Sequence, residues 1–165
     1  MTDAQIYAGS AVLGAVSGMR SMAAPAIVSR LASSGLLPIE GSQLGFLTNS
    51  KTAKTTAILA AGEALADKLP FIPNRTQALP LIARAISGAM SGAAFSTGKK
   101  RSALFGALCG MAAAIGATYG AFKLRQMADK RLQIPDTIVA VAEDALVATT
   151  GYLLLKSLQK QGKGI

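Results

Sequence analysis

The sequence predicts an all-α fold, a compact transmembrane bundle of about four to five helical segments, some short or re-entrant, with a possible internal duplication. Three observations predict it. Apolar residues make up 51% of the chain but aromatics only 5%, and Trp is absent, so Ala and Gly carry much of the apolar character. Small residues let helix backbones approach closely, whereas strands favour β-branched and aromatic side chains. The Lys and Arg residues behind the net charge of +9 fall in short clusters between apolar segments. That punctuation fits headgroup-facing loops better than a nucleic-acid face with interleaved aromatics, so the expected partner is a lipid bilayer and not nucleic acid. Finally, glycines recur at one-turn spacing, as in helices that pack backbone to backbone.

At 165 residues the chain reads as one domain. It begins Met-Thr-Asp, with no basic region and no small-x-small cleavage site, so the first apolar segment is expected to be retained. A lone Cys109 and the absence of His exclude a zinc site or a His-based triad. No HExxH, phosphate loop or nucleotide-binding glycine fingerprint is present, and neither an enzyme nor a cofactor is expected.

Segment one is expected over 6–31, with Gly14 and Gly18 forming a small face, Arg20 near its middle and Pro25 following. Gly35 reads as a left-handed residue after it. Segment two, 52–69, is short for a span and has Ser50 as its expected N-cap. It carries Glu63 and Asp67 four residues apart, on one helix face. Pro70 and Pro73 then stop the helix. Segment three, 76–97, has Arg84 near its middle, a second small face at Gly88 and Gly92, and Gly98 at its end. Segment four, 102–122, is uncharged, continues as polar helix to 131, and carries Gly106, Gly110, Gly116 and Gly120. Segment five, 137–155, starts at an Asp136 cap and contains Glu143 and Asp144; a flexible basic tail is expected over 159–165.

Two features repeat. Ala66-Asp67-Lys68 leads to Ile72-Pro73-Asn74, and Ala128-Asp129-Lys130 leads to Ile134-Pro135-Asp136. Gly14-Ala-Val-Ser-Gly18 resembles Gly88-Ala-Met-Ser-Gly92. If all five segments span, nine basic residues share the side of the C-terminus and six share that of the N-terminus, which places the C-terminus in the cytoplasm.

Arg20, Glu63, Arg84, Glu143 and Asp144 fall inside apolar segments, where each costs about 2.5–3.5 kcal/mol at a helix centre. Such residues pair or line a wet cavity. At least one Arg–carboxylate pair between segments is expected, with Arg20 and Arg84 as donors. The same pairs could simply fix helix register.

Ser17-Gly18-Met19-Arg20 leading to Pro25, then Glu63-x-x-Ala66-Asp67-Lys68-x-Pro70, then Ile134-Pro135 followed by Ala142-Glu143-Asp144, resemble a bacterial membrane-protein family called domain of unknown function 4126. The resemblance covers about Ala8 to Leu155. The chain departs from it at Pro70-Phe-Ile-Pro73-Asn74, where the family reads Pro-x-x-Asp, and at Arg84-Ala85, where the family tends to Arg-Pro. The resemblance implies an integral, multi-span helical protein and no particular activity.

Two functions are therefore expected. One is a transporter, channel or flippase-like protein of the bacterial cytoplasmic membrane, with Arg20, Glu63, Asp67, Arg84, Glu143 and Asp144 as a polar centre for an ion or lipid. There the acids bind a cation or shuttle a proton, and the arginines hold an anion or tune the acids. The other is a structural or accessory subunit, packed by its glycine faces into a homo-oligomer or a larger membrane complex.

Overall fold

A computed structural model describes residues 1–66, 78–127 and 136–162. Among them are six α-helices, a short 3-10 turn over Gly45–Thr48, and no strand. The helices are α1 (Asp3–Met19), α2 (Ala23–Ser33), α3 (Ser50–Ala66), α4 (Ala78–Gly98), α5 (Ala103–Met127) and α6 (Asp136–Gly162). Three of them, α4, α5 and α6 from Ile138, are long and apolar enough to cross a membrane. Both proline corners, including Asp67, Pro70, Pro73 and Pro135, lie outside the described residues.

The expected segment one is two helices, not one. Arg20 is extended (φ −139°, ψ 108°) and ends α1, and α2 starts afresh at Ala23. Pro25 explains the break. In a continuous helix its ring would clash with the carbonyl of Ser21 and remove that carbonyl's donor. Within α2, Pro25 sits in the first turn, where its missing N–H costs nothing. The Ser21 carbonyl accepts a hydrogen bond from the Ser87 hydroxyl instead.

Termini follow local chemistry. Thr2 and Gln5 form a reciprocal capping box on α1. Gly35 (φ +75°) completes a Schellman motif on α2: its N–H donates to Ala32 and that of Leu36 donates to Leu31. Asn49, not Ser50, caps α3, since its Oδ1 accepts from the Lys51 N–H at 2.9 Å. Gly98 ends α4 as expected, and the left-handed residue after it is Lys100 (φ 56°). A side chain at Gly98 would overlap Leu37. Helix α6 runs to Gly162, so 159–162 is helical where a flexible tail is expected from sequence.

The centre is a three-helix wedge of α1, α4 and α5, with α1 parallel to α5 and antiparallel to α4. Gly14 meets Gly110, Gly18 meets Ala114, and Gly88 and Gly92 meet Gly106 and Gly110. A Cβ on any of these six glycines would overlap a neighbouring atom, in most cases backbone. The two similar Gly-Ala-x-Ser-Gly pieces thus dock on one stretch of α5. Serines line the α1–α4 seam: Ser10 reaches Ser96 at 2.9 Å and Ser17 reaches Ser87 at 3.1 Å. By contrast, nothing lies within 4 Å of a Cβ built at Gly116 or Gly120.

The described helices alternate in direction between two ends. Asp3 pairs with Arg101 at 2.6 Å, which puts the N-terminus beside the α4–α5 turn. Leu37 and Ile39, after α2, pack against Gly98 at that same end. Leu158 is buried in one cluster with Ile6, Leu31 and Leu37, so α6 finishes there too. Lys99, Lys100 and Arg101 lie at this end, and partial burial lowers the pKa of Lys99. We call it the basic end.

Candidate functional site

The site is built at the α1–α2 break. Two backbone ends are exposed there by the interruption: the last carbonyls of α1 and the first amides of α2, each with the partial charge of its helix terminus. Helix α2 has no side-chain cap of its own. The Glu63 carboxylate, delivered by α3, supplies it. Oε1 accepts from the Ser21 N–H and hydroxyl at 2.8 Å each, and Oε2 accepts from the Met22 N–H at 2.8 Å. At the other end, the Gly18 carbonyl accepts from Arg84 Nη1 of α4 and from the Thr118 hydroxyl of α5, both at 3.1 Å. An anion therefore sits on the positive terminus and a cation on the negative one, the arrangement that helix dipoles favour.

Arg20 itself turns inward between three helices. It is 2% exposed. Its Nη2 lies 2.7 Å from Asp144 Oδ1 of α6, and its Nη1 is 3.5 Å from the Glu63 carbonyl. Beside it, Glu143 forms a two-point pair with Arg125 of α5, at 3.1 and 2.6 Å. Fork-to-fork geometry of this kind is the strong form of an Arg–carboxylate contact. The cluster holds Arg20, Arg84 and Arg125 with Glu63, Glu143 and Asp144, so its formal charges balance.

Burial is uneven across the cluster. Arg20, Arg84 and Glu143 are buried, whereas Glu63 is half-buried and the Asp144 side chain is 31% exposed. The most reachable groups, Glu63 and Asp144, are thus acids, and Arg20 and Arg84 are walled in behind them. An apolar groove of about 380 Å³ adjoins, between Met19, Ala117 and Gly120 on one wall and Val139 and Leu146 on the other, with Glu143 at its edge.

Five of the six residues singled out from sequence, Arg20, Glu63, Arg84, Glu143 and Asp144, meet at this break; the sixth, Asp67, lies outside the described residues. The expected pairing of arginine with carboxylate between segments is present for Arg20. Four contributors were missed. Arg125 reads in the sequence as part of a polar helix tail. Ser21, Ser87 and Thr118 are uncharged and read as ordinary helix residues, although Ser17-Gly18 and Ser87-Gly88 each place a hydroxyl beside a close-contact glycine.

Comparison with curated proteins gives no match, and comparison with solved structures gives none either. The family model described as domain of unknown function (DUF4126) matches residues 8–157, which takes in the α1–α2 break and every charged residue of the cluster. The chain belongs to that family.

Proposed function

We propose that the protein is a small multi-pass transport protein of the bacterial cytoplasmic membrane, transporter, channel or flippase-like, that moves an ion or lipid at the broken helix. The observation that carries this reading is the interruption at Arg20–Met22, whose two helix ends are held by charges from other helices. Interrupted helices with paired half-helix termini are the usual setting of transport sites. The reachable acids, Glu63 and Asp144, are the groups that exchange a proton or cation. The buried arginines fix their position and hold the counter-charge. When Glu63 or Asp144 is neutralised by its cargo, the α2 amides or the Arg20 guanidinium lose their anion, and the break repacks. The role is non-catalytic and needs no cofactor.

Proteoliposomes test it. Purified protein is expected to support flux of protons, monovalent cations or labelled lipid above empty vesicles. Glu63→Gln and Asp144→Asn are expected to abolish flux while helicity and insertion stay intact. Wild-type vesicles indistinguishable from empty ones across that panel would sink the proposal.

A second reading has its own support. Gly116 and Gly120 present an open small face on an apolar helix, the kind of surface on which another helix packs. In an accessory subunit the ion pairs fix register only. Native mass measurement in detergent discriminates: a stable oligomer that Gly116→Leu disperses, with flux-silent charge variants still assembled, favours this role.

A further inference from the structure

A second cleft lies near the basic end, between α2 and α3, with a volume of about 340 Å³. Its lining is ordered along the helix axes. Arg30, Ser33, Ser50 and Lys54 form the mouth, toward the basic end; Ala26 and Ala57 lie deeper, toward the α1–α2 break. Arg30 and Lys54 bring two positive charges to that mouth. Among the described residues neither has an acidic partner, in contrast to Arg20, Arg101 and Arg125. The Ser33 hydroxyl is spent on the Arg30 carbonyl at 3.2 Å. Arg30, Lys54 and the Ser50 hydroxyl are the donors left to a ligand.

We propose that this cleft binds one anionic phospholipid, with its phosphate between Arg30 and Lys54 and the start of an acyl chain along the alanine floor. The order of the lining is the order of the ligand: a charged head, then hydrocarbon. Two cations without a carboxylate select an anion over a zwitterionic headgroup, whose own ammonium they repel. The alanines leave a shallow track because each side chain ends at Cβ. A solvated basic surface would lack that track. The site depends on the chain lying in a bilayer but not on transport through the Arg20 cluster, so the flux assay and a lipid-binding assay fail independently.

Native mass spectrometry of the full-length detergent-purified protein tests it, with phosphatidylglycerol and phosphatidylcholine of identical chains as probes. Wild type is expected to retain phosphatidylglycerol about thirty-fold better, roughly five-fold per cation. Arg30→Gln/Lys54→Gln is expected to bring the two lipids to near parity. Lys156→Gln/Lys160→Gln, which removes as much charge from the same end of the bundle, should leave the preference intact. Lys54→Gln alone, at an exposed position, keeps the test alive if the double variant does not fold, with about a five-fold loss expected. Ala57→Leu, which fills the floor and keeps both charges, should also weaken retention. Equal retention of both lipids by wild type, or an undiminished preference in the charge variants, overturns the proposal. Complete displacement of the lipid by millimolar inorganic phosphate overturns it as well, because the site is then one for a free anion.

Discussion

At Gly110 the chain has no room for a single added carbon. A Cβ there would overlap the carbonyl of Gly88, and one on Gly14 would overlap Gly110 in turn. Overpacking of this kind costs about 1–3 kcal/mol, more than the roughly 1 kcal/mol that Ala gains over Gly in a helix. Gly110→Ala is therefore expected to lower the unfolding temperature in detergent. Gly116→Ala, with open space around it, is expected to leave it unchanged or raise it slightly. The Arg125–Glu143 pair makes a second residue-scale prediction. Its side chains are 14% and 10% exposed, so removing one partner strands a poorly solvated charge. Glu143→Gln should cost about 3–5 kcal/mol, whereas Arg125→Leu/Glu143→Leu should be close to neutral. Denaturant titration of both variants checks the difference; equal losses would show that the pair is not acting as a unit. Charges inside apolar runs were legible in the sequence because their burial is costly, which is how Arg20, Glu63 and Asp144 stood out. Arg125 was not, because it follows Phe122 among Lys123 and other polar residues and so resembles a helix leaving the membrane.

Among the elements, α2 depends most on its neighbours. It has 11 residues, too few to be stable alone, and no side-chain cap of its own. Three hydrogen bonds at its start go to one carboxylate on α3. Glu63→Gln keeps a carbonyl acceptor but loses the charge opposite the α2 dipole and one acceptor for the amides. Hydrogen bonds to a charged group are worth about 1.5–3 kcal/mol each, so the loss should appear locally before it appears globally. Amide hydrogen exchange in detergent is expected to speed up over Ala23–Val28 in Glu63→Gln while the α4 and α5 amides hold their protection. Uniform acceleration across all helices would mean that Glu63 supports the whole bundle and not α2. The break itself was half legible. Pro25 in the sequence carries the signal, but a proline allows either a kinked continuing helix or a new start. What decides between them is the long-range set of partners, Glu63, Arg84, Ser87 and Thr118, that satisfies the severed backbone. Their positions are separated by 41 to 100 residues from the groups they cap, and no local pattern encodes that.

At the scale of the whole molecule the N-terminus and the end of α6 lie together, and this separates the observed layout, with α2 returning beside α1, from a simple succession of five spans. Helix number was nearly readable from composition, but an odd count of spans puts the termini on opposite sides. Splitting segment one into α1 and the returning α2 makes the number of helices even. The N-terminus then joins Lys99–Arg101, Lys51, Lys54 and the end of α6 at the basic end, through the Asp3–Arg101 pair and the burial of Leu158 beside Ile6. The basic residues counted on the C-terminal side that are described remain together, and the N-terminus moves over to join them. The positive-inside rule predicts that this end faces the cytoplasm. Reporter fusions test it directly. A cytoplasm-active reporter such as a fluorescent protein should light up at both Met1 and Ile165, and a periplasm-active phosphatase should stay silent at both. Opposite signals at the two ends would restore an odd number of crossings and refute the hairpin placement of α2. Reversed signals at both ends would keep the return of α2 beside α1 and overturn only the orientation. A graded version adds charge to the argument: Lys99→Gln/Lys100→Gln/Arg101→Gln should raise the fraction of inverted molecules. Removing Lys123, which lies toward the opposite end of α5, should not, because the bias rests on where the cations cluster and not on their total.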